Sequence, residues 1–376
     1  SSLDGVPISW KDLFDIEGYP CEAGSELLAG RLANQNCEVY NLAEAQGLIC
    51  LGKTHMSELA FSGLGLNPVR ETPPCVNYPE SVPGGSSSGA ATSVSFGLAT
   101  AGIGSDTGGS VRIPAAWNGL VGFKTTAGRL SLDGVVPLCS RFDTVGPLTK
   151  SVEDAARLSG VMSGREIRLP APKAVKGLKL GILKNVAMEN VVDLPKKAFE
   201  SAINKLKEAG ASISEIFVSS VDEAMDLTGF LYSPEAYATW KHKIEKTPDL
   251  MFAKILERFR SGANVLASDF ICAWDKLMDL RQQYHLAVEM YDAVLIPTSP
   301  IIPPELDRLM NDGDFYNSQN LLALRNTRIG NLMGGCSITL PTDIPSCGLL
   351  IMGMPSQEER LLRLAQACEL VLSRNQ

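Results

Sequence analysis

A chain of 376 residues with 34 basic and 42 acidic side chains, net charge −8, carries no long block of one sign. That balance speaks against a nucleic-acid footprint or a polybasic membrane-surface patch, and favours a small neutral substrate over a polyanion. Nine scattered cysteines without a Cys-x-x-Cys pair read as buried reduced thiols, and the three histidines (His55, His242 and His285) stand at no metal-ligand spacing, which argues against a zinc hydrolase.

Near the start, Asp4-Gly5-Val6-Pro7-Ile8-Ser9-Trp10-Lys11-Asp12 places a lysine inside an apolar, turn-bounded segment. No signal peptide opens the chain, and so short a lead before Lys11 suggests that a further N-terminal segment belongs to the protein. Residues 90–104 are weakly polar, interrupted by Thr92, Ser93, Ser95 and Thr100, and shorter than the roughly 20 apolar residues of a spanning helix, so they read as a buried helix and strand. After Leu169-Pro170-Ala171-Pro172, a short stiff connector, residues 178–183 read as a strand. Phe199, Ala202, Ile203 and Leu206 then repeat at helical spacing up to Gly210, and residues 213–218 read as a second strand, a β-α-β alternation expected of a layered α/β sheet. A charged, mostly helical stretch covers about 195–290. Strand signals resume at 292–298 and 347–352, and a last helix opens on a Ser356-Gln357-Glu358-Glu359 capping-box pattern with Leu361, Leu364, Ala365 and Cys368 on one face. Strands at both ends of the chain argue for one domain.

Two glycine-flanked serine clusters lie between these elements: Pro83-Gly84-Gly85-Ser86-Ser87-Ser88-Gly89 and Asp106-Thr107-Gly108-Gly109-Ser110. With no histidine beside them, they suggest serine chemistry served by a lysine base, and Lys11, Ser86 and Ser110 are the candidates. A lysine acts as a base only when neutral, so a free pKa of about 10.4 must fall by several units. Packing beside Trp10, Leu13 and Phe14 would do this by desolvation. The plainer reading pairs Lys11 with Asp12 or Asp15, or leaves it in solvent. Gly108-Gly109-Ser110 presents consecutive N–H groups that an oxyanion could approach closely; a tight turn with Ser110 as a helix N-cap is the plainer reading there. Gly85-Ser86-Ser87-Ser88-Gly89 also fits the G-x-S-x-G elbow of an α/β-hydrolase-like esterase, with Ser87 as nucleophile and His242 or His285 as base.

Together with Leu51-Gly52-Lys53-Thr54-His55-Met56-Ser57-Glu58, Gly119-Leu120-Val121-Gly122-Phe123-Lys124-Thr125 and Phe142-Asp143-Thr144-Val145-Gly146-Pro147-Leu148, these segments resemble the amidase signature family almost continuously from Asp4 to about Asp154. Later residues, through Leu324-Arg325-Asn326-Thr327 to the last helix, are compatible with its more variable half. The resemblance implies a Ser-cisSer-Lys triad with Lys11 as general base, Ser86 as the bridging serine and Ser110 as nucleophile, the Gly85-Ser86 bond being cis. It implies an oxyanion hole from the N–H groups of Thr107, Gly108, Gly109 and Ser110. Gly85, Ser87, Asp106 and Arg112 become supporting residues, and Ala60, Phe61, Ser62 and Gly63 a loop lining the acyl site, whose small, mainly apolar character hints at an uncharged acyl group.

The expectation is therefore a single α/β domain over residues 1–376, with a central mixed sheet covered by helices on both sides, a signature core at 1–165 and a more variable half at 166–376. Its activity would be hydrolysis of a small-molecule amide through an acyl-enzyme, with no cofactor, no metal, no direct nucleic-acid or membrane partner, a cytoplasmic location and a possible homodimer. The alternatives are the amidase component of a glutamine-dependent tRNA transamidation complex and a non-catalytic relative.

Overall fold

In the computed structural model, which describes residues 1–167, 169 and 174–373, the short apolar runs become strands of one mixed sheet. The predicted connector Leu169-Pro170-Ala171-Pro172 lies, Leu169 apart, outside the described residues. In chain order the strands are β1 (Pro7–Lys11), β2 (Ile49–Thr54), β3 (Ala101–Ser105), β4 (Val121–Lys124), β5 (Val145–Thr149), β6 (Lys179–Leu183), β7 (Ser212–Ile216), β8 (Ala293–Pro297), β9 (Ser337–Pro341) and β10 (Gly348–Met352). Across the sheet they run β2-β1-β3-β5-β4-β9-β10-β8-β6-β7. β2, β1 and β3 are parallel, as are β8, β6 and β7, and antiparallel pairs join the two groups. Because β4 pairs with β9, Phe123 opposite Ile338, both halves of the sequence share one sheet.

Side chains alternate between the faces of a strand, so a strand covered on both sides must be apolar at every position. β8 does this: Val294 and Ile296 join one hydrophobic cluster, Ala293 and Leu295 the other. β10 alternates likewise, Leu350 and Met352 against Leu349 and Ile351. One face is covered by α5 (Asp193–Glu208), preceded in the chain by α1 (Glu38–Ala45), α2 (Ser88–Ser95), α3 (Arg112–Trp117) and α4 (Val152–Met162). Phe199, Ala202, Ile203 and Leu206 supply the buried stripe of α5, and Gly210 follows its end at a φ of +96° that favours glycine. The opposite face carries α6 (Ser219–Asp226), α7 (Thr228–Ile244), α8 (Ala253–Arg260) and α9 (Ala267–Val288). Next come α10 (Leu306–Asn311), α11 (Gly313–Leu332) and α12 (Glu358–Leu372).

The last helix keeps its predicted apolar face but not its capping box. It starts at Glu358 after Gln357, and Ser356 stands at a positive φ of 60° with its N–H given to Thr126 Oγ1. Glu358 is buried and accepts from the Thr126 N–H instead, so tertiary contacts replace the local cap. Of the nine free cysteines, Cys272 is exposed and Cys50 half-buried, against the expectation that all are buried. Among the described residues no helix is long and apolar enough to cross a membrane.

Gly146 of β5 shows how tightly the sheet is drawn together: an added Cβ would meet the Phe123 carbonyl oxygen at 2.0 Å. Backbone cannot swing aside as a side chain can. Gly146→Ala is expected to cost about 1–3 kcal/mol, the usual penalty of overpacking, in urea-unfolding measurements; an unchanged midpoint and slope would contradict this packing.

Candidate active site

Three parallel strands end at the same edge of the sheet, the position at which open α/β sheets receive ligands. Lys11 closes β1, paired with Thr54 of β2, and Ser105 closes β3. Lys11 is 0 % exposed, with Trp10, Leu13 and Phe14 also buried. Its Nζ lies 2.7 Å from Ser86 Oγ and 2.7 Å from Ser105 Oγ. The two acidic neighbours are engaged elsewhere, Asp12 by Lys53 and Asp15 by Arg31, so the plainer reading of an ion-paired or solvated lysine fails. Among the described residues no carboxylate comes within 4.0 Å of Lys11. Burial accordingly pulls its pKa from 10.5 to about 7, with the fields of Asp106 and Asp143 opposing the fall.

The bond Gly85-Ser86 is cis. Gly85 has room for no side chain, since a Cβ would lie 2.5 Å from Ser57 Oγ and 2.5 Å from the Gly65 nitrogen. Ser87 is buried and fixed to β3: its hydroxyl donates to the Ser105 carbonyl at 3.2 Å and accepts from the Ser105 N–H at 3.3 Å. That commitment removes the G-x-S-x-G reading. His242 is exposed on α7, and His285 of α9 faces the Met333 carbonyl at 3.0 Å rather than a serine. Ser86 and Ser110 are tied through backbone, the Ser87 N–H donating to the Ser110 carbonyl at 3.2 Å; among the described residues there is no hydrogen bond between the two hydroxyls.

The loop from Asp106 to Ser110 is held from within and from α11. Asp106 accepts from Arg112 Nε at 2.9 Å and Nη2 at 2.8 Å, both side chains fully buried. Burial pushes the Asp106 pKa up, but the Arg112 guanidinium outweighs it and holds the carboxyl well below its ordinary range. Asn331 of α11 donates to Asp106 at 3.0 Å, and Thr327 Oγ1 donates to the Gly108 carbonyl at 2.7 Å. Gly109, at a φ of +140°, gives its N–H to Asp106 Oδ1 at 2.9 Å. This N–H is therefore spent, unlike the others expected to form the oxyanion hole. Among the described residues the N–H groups of Thr107, Gly108 and Ser110 donate to no protein acceptor.

Thr107, Gly108 and Ser110 line a narrow cavity of about 20 Å³ with Ala60, Phe61, Ser62 and Leu324. Gly63 is not on its wall: its N–H donates to Asn320 Oδ1 at 2.9 Å. A neighbouring cavity of about 230 Å³ shares Ala60, Thr107 and Leu138 and extends to Ser105 and Asp143. Asp143 accepts from Thr107 Oγ1 at 2.5 Å and from the Leu138 N–H at 2.9 Å, while burial raises its pKa.

Several residues of this region escape a reading of the sequence. Ser105 follows Gly102-Ile103-Gly104, but nothing local announces its bond to Lys11. Thr327 stands in the Leu324-Arg325-Asn326-Thr327 segment, but nothing local announces its bond to Gly108. Arg258 on the charged helix α8 and Arg328 on α11 also line the narrow cavity, beside the apolar loop expected to line the acyl site. A cation in a polar helical pattern reads as solvated until its neighbours are known.

Fold and relatives agree on a hydrolase of carbon–nitrogen bonds. The Amidase family model matches residues 1–362, and the chain belongs to that family. It is 35% identical over 385 residues to the 2-amino-5-chloromuconic acid deaminase of Comamonas testosteroni, covering 98% of this chain and 82% of the relative. It is 31% identical to a glutamyl-tRNA(Gln) amidotransferase subunit of Methylacidiphilum infernorum, over 96% of this chain and 81% of that one. The crystal structure of the corresponding Thermotoga maritima subunit superposes with a TM-score of 0.85 at 26% identity, covering 99% of this chain and 84% of that one.

Asp106→Asn would leave the buried Arg112 charge without its partner. The expected loss is about 3–5 kcal/mol of unfolding free energy, measured by urea titration; a loss below about 1 kcal/mol would contradict a bracing role for the pair.

Proposed function

We propose that the chain hydrolyses a carboxamide through an acyl-enzyme on Ser110, with Ser86 as proton bridge and Lys11 as base. The observation carrying this reading is a buried lysine, with no carboxylate partner, 2.7 Å from a serine hydroxyl in the same site as a loop of free N–H groups.

Neutral Lys11 accepts the Ser86 proton while donating to Ser105, and Ser86 accepts the Ser110 proton as Ser110 Oγ bonds to the amide carbon. The carbonyl oxygen becomes an oxyanion facing the N–H groups of Thr107, Gly108 and Ser110, worth a few kcal/mol at the transition state. The relay then returns a proton to the nitrogen, the C–N bond breaks, and ammonia or an amine leaves an ester on Ser110. Water, deprotonated by the same relay, attacks that ester and frees the acid with Ser110 restored.

A second reading is supported by the amidotransferase relatives: the same relay would release ammonia from glutamine for a protein partner. Ammonia release by the isolated chain, without added subunits, distinguishes hydrolysis from that role.

Lys11 works only when unprotonated, so kcat/KM is expected to rise with pH through about 7 and then level off. A rise displaced to about 10 would contradict the lowered pKa. Lys11→Ala should lose roughly 100- to 10,000-fold at neutral pH, partly recovered at high pH by hydroxide. Mass spectrometry of acid-quenched turnover should find the acyl group on Ser110; an adduct on Ser87, or Lys11→Ala with full activity, would overturn the relay.

A further inference from the structure

Two arginines face the nucleophile's cavity with nothing to bind. Arg328 of α11 is 7% exposed, and its Nε is buried without an acceptor. Arg258 of α8 is partly buried on the same wall. Among the described residues neither guanidinium donates a hydrogen bond or has a carboxylate within 4.0 Å. Each is instead held against an aromatic face: Arg258 Cζ lies 4.5 Å from the Phe61 ring centre, and Arg328 Cζ 5.4 Å from that of Tyr232. Such cation–π contacts leave the N–H groups of a guanidinium unspent.

The carboxylates of this region are already committed. Asp106 holds Arg112, Asp143 takes Thr107 and two backbone N–H groups, Glu235 pairs with Arg141, and Glu58 accepts from Ser25 and the Phe252 N–H. Burial lowers the pKa of both arginines, and the charge of Arg328 lowers that of Arg258 further. Two like charges withdrawn from water beside one another are costly, and an anion between them would relieve both the desolvation and the repulsion.

We propose that Arg258 and Arg328 form a carboxylate-binding subsite, so that the substrate is an amide whose acyl group ends in a second, free carboxylate a few bonds from the reacting carbonyl. The short span follows because both arginines line the same small cavity as Ser110. A Cβ on Gly108 would lie 3.6 Å from Arg328 Nε, so this cation sits directly over the loop beside the nucleophile. Guanidinium and carboxylate match as planar, two-point partners, and a site with unpaired buried donors rejects an analogue that cannot satisfy them.

The amide part of this assignment rests on the hydrolase reading above; the carboxylate part is testable without turnover. Succinamate and butyramide have similar lengths and differ in the terminal carboxylate. Wild-type kcat/KM is expected to favour succinamate by about 100-fold or more, the ratio falling toward one in Arg328→Met and in Arg258→Met, mainly through KM, and partly returning in Arg328→Lys. Calorimetry with succinate and Ser110→Ala, which cannot turn over, should detect binding that Arg328→Met removes. Equal use of succinamate and butyramide, or a preference that survives both arginine substitutions, would overturn the subsite while leaving the hydrolase intact. Arginine-dependent succinate binding with no amide hydrolysed would sustain the subsite and sink the amide reading. Absence of succinate binding to Ser110→Ala would overturn the subsite.

Discussion

An ammonium group taken out of water with no counter-charge in contact cannot stay an ordinary lysine. Lys11 is in that position at the end of β1, and the chemistry proposed for the site depends on it. Burial there does what a neighbouring carboxylate would prevent, favouring the neutral amine near physiological pH. The environment is built with care on this point: Asp12 and Asp15, close by in sequence, are drawn off by Lys53 and Arg31. Asp106 and Asp143, nearer in effect, act on Lys11 only through their fields.

The rest of the site is a problem of aiming. Ser86 is presented by a cis bond between two closely packed loops, Ser105 by the end of a strand, and Ser110 by a loop that needs support from a distant part of the chain. Helix α11 gives that support through Thr327 and Asn331, so a segment more than 200 residues away fixes the carbonyl of Gly108 and the carboxylate of Asp106. With Gly109 N–H spent on Asp106, the N–H groups of Thr107, Gly108 and Ser110 have no protein acceptor among the described residues, and these three residues line the cavity. Such donors need no reorganisation when charge develops, which is where their advantage over water lies.

What could be read from the sequence was local. The strands at 292–298 and 347–352 are continuous apolar runs because helices cover both faces, and α5 advertises its buried stripe at helical spacing. Lys11, Ser86 and Ser110 stood out because a lysine in an apolar run and serines between glycines are unusual residues for their surroundings. The capping box at Ser356 misled because a contact with Thr126 outbid a local cap. Arg258 and Arg328 stay hidden for a related reason: in a polar helical pattern a cation turned to a cavity looks like a solvated one, and only the cavity they share distinguishes them.

The central claim is the state of one amine, and nuclear magnetic resonance can observe it directly by titrating the Lys11 side chain in lysine-labelled protein, with Lys11→Ala to assign the signal. A transition near 7 is the predicted result. A transition near the usual value of about 10.4 would mean that Lys11 stays charged, and it would contradict the account of the site as a lysine-driven serine relay.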